Sequence, residues 1–407
     1  MTEPARTGVT DTDVLIVGGG VMGLFTAYFA SDLGRSVTVL ERGHVGDPAT
    51  ASYGRTRSYR NDYLDPTYVR LAREAIGLWD AFEAREQVRV LVRCGCLNIA
   101  SSRVTPDLDA TYARMSHRVL EALGMPTQAL GADAIRARFP GLQADAGQLD
   151  AGAGVVDLAA VTDTLTRVLA ERGVRVVEGV QPTAIERGES GSFTVHAATR
   201  TLTARSLVVT AGHGTNDVLA RLPGCALRVP IEKDRPSDAR YFVPPPEDRH
   251  RFTAGAMPVV AYLDAGIYCH PIVPGVVDAV KVGYYNPPDV PRGTTSIDSI
   301  DAFVDRCFPA LHGMASAPVE DVDQCDYDLV ADDDFVLGAI PGAASAFVGV
   351  GWRGTGYKFA PWVGRVLAEL AVQAGTVYDI GRFDPARFQK GDASDAPVVT
   401  DAAPATR

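Results

Sequence analysis

Apolar and polar positions along the chain sort into a short series of elements. Asp13-Val14-Leu15-Ile16-Val17 is an apolar run after a polar start, the pattern of a buried strand. It enters Gly18-Gly19-Gly20, and from about Met22 to Leu33 the pattern is helical, with Gly34 placed to end the helix. Residues 37–40 alternate as a second strand and stop at Glu41. Strand, glycine turn, helix and strand fit within about 30 residues, the size of a βαβ unit.

Residues 65–84 predict another helix. Asp65 caps it, Pro66 suits its first turn, and Val69, Ala72, Ile76, Trp79 and Phe82 share one face. Asp157 caps a further helix that Gly173 ends, and residues 174–178 follow as a strand. Residues 206–210 are a buried strand running into Ala211-Gly212. Residues 346–350 are a strand, followed by a glycine-rich turn and a helix over 361–373. Two stretches differ in texture, 91–151 and 227–325; the second is rich in Pro, Tyr and Val and reads as antiparallel strands with long loops. The expected fold is therefore α/β. A Rossmann-like nucleotide-binding domain is assembled from residues 12–90, 152–226 and 326–389, and a β-rich substrate domain (an α+β part) is inserted as 91–151 and 227–325. The Ala-, Pro- and Asp-rich tail 390–407 is expected to be disordered.

Bulk properties change this picture only by exclusion. The 407 residues are 46% hydrophobic and 22% charged, ordinary values for a chain with a packed core. A net charge of −11 disfavours nucleic acid as a partner. No apolar run reaches the ~20 residues that span a bilayer, and the polar start lacks a signal-peptide pattern, so the expected location is the cytoplasm. The seven histidines show no metal-ligand spacing, and no metal site is expected. Six cysteines do not suggest a disulfide scaffold; Cys94 and Cys96 are spaced to share a strand face.

Gly18, Gly20 and Gly23 match G-x-G-x-x-G at the strand-to-helix turn. Gly18 permits the tight turn, Gly20 lets a pyrophosphate approach the backbone at the helix N-terminus, and Gly23 allows close packing. Glu41, 23 residues after Gly18, suits an adenosine ribose and would repel the extra phosphate of NADP. The position of this unit at the start of a long, interleaved chain favours FAD over NAD.

Several separated motifs carry a resemblance. They are the opening Val14-to-Leu24 run, Gly54-Arg-Thr-Arg-Ser-Tyr-Arg60, Lys281-Val-Gly-Tyr, Cys325-Asp-Tyr327, and Gly351-Trp-Arg-Gly-Thr-Gly-Tyr-Lys-Phe359. Through these, residues 13–383 resemble the sarcosine oxidase and N-methyltryptophan oxidase group of D-amino-acid-oxidase-like flavoproteins. The resemblance implies FAD, held covalently through Cys325 to the flavin 8α-methyl. It implies that Lys281 assists oxygen reduction, since a fixed cation stabilises the negative charge that develops on O₂. Arg60 and Lys358 match a pair that clamps a substrate carboxylate, and Arg57 an arginine near the flavin. A buried cation pair without an anion is costly, which argues for a carboxylate-bearing substrate. Val21, Met22, Arg42, Thr56 and Gly212 match further cofactor-binding positions. Gly354, Thr355 and Gly356 bring backbone N–H groups to the flavin edge.

Departures from the group are informative. Tyr285 and Thr355 stand where sarcosine oxidases carry histidines, and Cys269 is matched to a substrate-pocket tyrosine. Trp352 and Arg353 are expected at the pocket too. Arg353 would read a second acidic group or face solvent. The expected chemistry is oxidation of a C–N bond in a carboxylate-bearing secondary amine or cyclic amino acid, giving an imine and H₂O₂ with O₂ as acceptor. Tyr285 and Tyr327 are candidate hydrogen-bond partners of the amine. The family habit is a monomer. A flavin dehydrogenase or monooxygenase on the same scaffold, and a non-enzymatic flavin-binding module, are the alternatives.

Overall fold

The structure is a computed structural model describing residues 9–197, 200–234, 239–284, 297, 299–316 and 327–389. Tyr285, Cys325 and the tail from residue 390 lie outside the described residues.

The apolar runs build one large sheet. Strand Val9–Val17 lies between Val37–Leu40 and Arg200–Val209, parallel to both. Arg175–Val177 extends it beyond Val37–Leu40, and Ala346–Val350 beyond Arg200–Val209, again in parallel. Buried on both faces, such strands read as continuous apolar runs, which is why the sequence shows them so clearly. Antiparallel strands Ala184–Arg187, Phe193–Ala197 and Val336–Ala339 complete it. Arg200–Val209 begins before the expected residue 206, because its first half pairs with Phe193–Ala197.

Helix Val21–Asp32 packs on the sheet and against helices Leu158–Glu171 and Ala360–Gln373. A Cβ on Gly364 would meet Phe25 Cβ at 2.4 Å, so glycine is what lets the first and last helices touch. Both predicted aspartate caps form: Asp65 accepts from Thr67 N–H at 2.7 Å, and Asp157 from Ala160 N–H at 3.1 Å. Helix Pro66–Glu86 buries Val69, Ala72, Trp79 and Phe82 in the same core, while Ile76 packs at its margin.

The second large sheet runs Ala315–Ser316, Arg240–Val243, Val280–Tyr284, Ile267–His270, Val259–Tyr262, Cys96–Ala100, Ala146–Asp150 and Gln128–Gly131. Alternation divides its faces. Leu97, Val260, Ile267, Cys269, Val280 and Val282 point into a core closed by helix Ile300–Cys307. Cys96, Val259, Ala261 and Tyr268 point the other way. Cys94 does not share this strand; Gly95, at φ +80°, separates it from Cys96. A small sheet, Thr56–Tyr59 on Gly154–Asp157, lies near where the two large ones approach.

Candidate active site between the two sheets

Two neighbouring cavities, which share lining residues, draw their walls from both sheets and their loops. The outer cleft is lined by the glycine turn, Glu41, Arg42, Ser52, Thr210, Gly212, Gly214 and Trp352, among others. The inner one is lined by Arg60, Cys96, Tyr268, His270, Thr355 and Lys358, among others. Arg57, Tyr327, Gly354 and Tyr357 border both.

The outer cleft fits a dinucleotide. Gly18 sits at φ +113°, where an added Cβ would lie 2.3 Å from the Thr210 carbonyl oxygen. The N-cap of the helix from Val21 is Gly20, which has no side chain to cover the helix's positive end and lets a phosphate approach its backbone. Glu41, 6% exposed, is aimed by two backbone donors, Gly19 N–H at 2.7 Å and Gly43 N–H at 2.9 Å. Gly18, Gly20, Val21, Met22, Glu41, Arg42, Arg57, Gly212, Gly354 and Gly356 all border this cleft. Gly23 does not; it packs against the Gly18 carbonyl. Sequence reading missed Ser52, whose Oγ accepts from Val21 N–H at 3.0 Å at the phosphate position.

The turn expected at the flavin edge is held by a residue not singled out beforehand. The Asp328 carboxylate accepts from Gly351 N–H at 2.9 Å and Trp352 N–H at 3.0 Å. Burial raises its pKa, and the two backbone donors pull it back. Trp352 borders the outer cleft and not the inner one. Arg353 neither faces solvent nor enters a cavity: it is ion-paired with Asp333 and only 11% exposed.

In the inner cavity Arg60 and Lys358 do come together. Tyr63 lies under both, 4.5 Å from the Arg60 guanidinium carbon and 5.9 Å from Lys358 Nζ. Lys358 Nζ donates to the Thr355 carbonyl at 3.0 Å, and Trp79 Nε1 fixes the Lys358 carbonyl at 2.9 Å. Contrary to the expectation from the sequence, these two buried cations are not both without an anion. Arg60 Nη1 donates to Asp62 Oδ1 at 2.9 Å, with Asp62 fully buried. Asn98 Nδ2 supports the other Asp62 oxygen at 3.3 Å. One cation is therefore neutralised internally, and Lys358 is the second. Its burial, and then the Arg60 charge, hold its pKa well below 10.5. Burial also raises Asp150, which anchors Asn61 N–H at 2.9 Å beside this cluster.

The pocket strand is out of step with expectation by one residue. Cys269 points into the apolar core, where burial raises its thiol pKa. Its neighbours Tyr268 and His270 line the cavity instead. The apolar–polar alternation of Ile267-Tyr268-Cys269-His270 is the signal that could have found them. Thr56 does not border the outer cleft; its Oγ1 lies 2.9 Å from His270 Nδ1. Lys281 pairs with His270 across the sheet and is fully buried, its Nζ 5.6 Å from the Tyr268 ring. It shares the cavity-side face without lining the cavity.

Comparison with known proteins agrees with this geometry. A family model described as FAD dependent oxidoreductase matches residues 13–370. Human peroxisomal sarcosine oxidase is 26% identical over 395 residues, covering 92% of this chain and 96% of that protein. N-methyl-L-tryptophan oxidase of Yersinia pestis is 26% identical over 399 residues, covering 93% and 100%. The structure of L-proline dehydrogenase from P. horikoshii superimposes with a TM-score of 0.78 at 18% identity, covering 94% and 99%.

Proposed function

The chain belongs to the FAD dependent oxidoreductase family, and from that premise we propose that it oxidises the C–N bond of a carboxylate-bearing secondary amine or amino acid. The products are an imine and, with O₂ as acceptor, H₂O₂. The observation that carries this reading is the inner cavity. It shares lining residues with the dinucleotide cleft and holds Arg60 and Lys358 on one aromatic ring.

FAD, which the residues of the outer cleft would hold, would supply a two-electron acceptor. The chain's own residues do the rest. Arg60 offers two parallel donors to a carboxylate and Lys358 a single charge, so the acid end is fixed in orientation as well as position. Fixing it presents the α-carbon to the border formed by Arg57, Tyr327, Gly354 and Tyr357, which is the positional part of catalysis. The apolar walls Val259, Ala261 and Leu263 exclude water. Lys281 is the cation proposed to favour electron transfer to O₂. Cys325 is proposed to tether the flavin, because Tyr327, two positions on, borders both cavities. The division into residues 12–90, 152–226 and 326–389 against 91–151 and 227–325 is supported by the strands of the two large sheets, which fall on opposite sides of it.

The test is turnover with a panel: N-methylglycine, N-methyl-L-tryptophan, L-proline, glycine and iminodiacetate. Stoichiometric H₂O₂ with at least one supports an oxidase. Turnover that needs an artificial dye and yields no H₂O₂ makes it a dehydrogenase. Flavin binding without oxidation of any would refute the reading.

A further inference from the structure

The lining of the inner cavity has two unlike parts. One carries the charges of Arg60 and Lys358. The other belongs to the second large sheet, where Val259, Ala261 and Leu263 line the cavity. They alternate with Val260 and Tyr262, which point into the core on the opposite face. Ala261 is the small member of this apolar row.

Strand register shows what flanks Ala261. Asn98 stands opposite it on one neighbouring strand and Tyr268 on the other. Asn98 is engaged by Asp62, to which its Nδ2 donates at 3.3 Å. Tyr268 has Gly283 opposite it on its far side. A Cβ added to Gly283 would lie 2.5 Å from both Cζ and Oη of Tyr268. Neighbouring strands are about 4.8 Å apart, so the phenol ends one strand away from its own backbone, on the side remote from Ala261. Only the missing Cβ of Gly283 lets it lie there. The ring therefore does not cover Ala261, and a notch is left between Val259 and Leu263.

An amino acid carries four groups on its α-carbon, and the site directs two of them. The carboxylate goes to Arg60 and Lys358, and the hydrogen that leaves must face the border of the two cavities. The nitrogen and the side group remain. The nitrogen is polar and gains nothing from an alkyl surface, whereas an alkyl or ring side group does. We propose that the notch over Ala261 seats an apolar side group, and that Gly283 keeps the seat open by letting Tyr268 lie aside. The substrates are then N-alkyl or cyclic amino acids with a bulky apolar side group, in preference to N-methylglycine. This rests on the reading that the cavity binds carboxylate-bearing amines. A charged side group of the same size is disfavoured, because the apolar row strips its water and offers no partner.

The experiment is anaerobic flavin reduction by the racemic N-methyl derivatives of glycine, alanine, leucine and aspartate. The proteins are the wild type, Ala261→Leu, Gly283→Ala and the double variant Gly283→Ala/Tyr268→Ala. Flavin reduction is read directly, so the electron acceptor has no bearing. In the wild type, efficiency should rise from glycine through alanine to leucine. The leucine derivative should lead the glycine one by ~10–150-fold, the worth of burying its side chain. The aspartate derivative should trail leucine by at least ~10-fold. The leucine-to-glycine ratio should fall at least ~10-fold in Ala261→Leu, which fills the notch. It should fall likewise in Gly283→Ala, whose Cβ drives Tyr268 back toward Ala261, and recover in the double variant, which lacks the ring. A ratio is not imitated by a general loss of activity. Cyclopentanecarboxylate, which has a ring and no amine, gives a separate reading through the flavin absorbance. It should bind the wild type at least ~10-fold more tightly than acetate and lose that margin in Ala261→Leu. A wild type reduced by the series without preference for the larger apolar members, or variants with unchanged ratios, overturns the proposal alone. No reduction of the wild type overturns the underlying reading and the proposal with it.

Discussion

Arg60 has two tasks that substitution can separate. It neutralises Asp62 in the folded protein, and it is proposed to bind the substrate carboxylate. The Arg60 and Asp62 side chains are 4% and 0% exposed and 2.9 Å apart. Arg60→Met leaves a fully buried carboxylate with, among the described residues, only Asn98 as a side-chain hydrogen-bond partner, and such an orphan costs ~3–5 kcal/mol. Asp62→Asn leaves a cation that keeps the Asp62 backbone carbonyl and the Tyr63 ring, for a loss of ~1–3 kcal/mol. The double substitution removes both charges. Its loss should fall short of the sum by about 2–3 kcal/mol, the upper range for coupled contacts. Urea unfolding of the four proteins reads this term directly. Titration with cyclopentanecarboxylate reads the second task. Arg60→Met and the double variant should both bind ~10–150-fold more weakly, the equivalent of one charge-assisted contact. Asp62→Asn should bind at least as well as the wild type, since Arg60 then lacks its internal anion. Additive stabilities, or Asp62→Asn weakening the carboxylate as much as Arg60→Met does, would refute the reasoning.

Other outcomes follow from the same geometry. Burial and the Arg60 charge hold Lys358 well below 10.5 even with Asp62 nearby, and a bound carboxylate raises its proton affinity. The complex then holds more protons than the free protein. Cyclopentanecarboxylate should therefore bind more tightly as pH falls from about 10 toward neutrality, and Lys358→Met should flatten the curve; a flat wild-type curve would contradict this. Acid precipitation should leave the flavin colour in the pellet, and Cys325→Ala should release it to the supernatant; colour in the wild-type supernatant removes the tether. Gly364→Ala should lower stability by ~1–3 kcal/mol by forcing the first and last helices apart, with thermal melting as the check.

The sequence disclosed what is local. The βαβ opening and the Asp65 and Asp157 caps depend on nearby stretches of chain and are visible as patterns, as is the Gly18 turn, although its close approach to Thr210 is not. Asp62 stands only two residues from Arg60, a spacing that can share one face of an extended chain, so this pairing was within reach of the sequence although it was not read there. Arg353 finds Asp333 and the Gly351 turn finds Asp328, pairings that span some 20 residues and need a return of the chain. The misplacement of Cys269 had a different origin. Motif matching assigned it, whereas the period of two along Ile267–His270 assigns its neighbours, and a slip of one residue exchanges core for cavity. The matched lysine, Lys281, escaped this fault because its alternation with Val280 and Val282 was read together with the motif.

The central claim is that a flavin stands beside a site which grips its amine substrate by the carboxylate. Anaerobic mixing of the flavin-loaded protein with an amino acid from the panel and with its methyl ester tests it most directly. The acid should bleach the flavin while the ester is at least ~10-fold slower, because the ester offers Arg60 and Lys358 no charge. Equal bleaching by acid and ester, or none by any member of the panel, would contradict it.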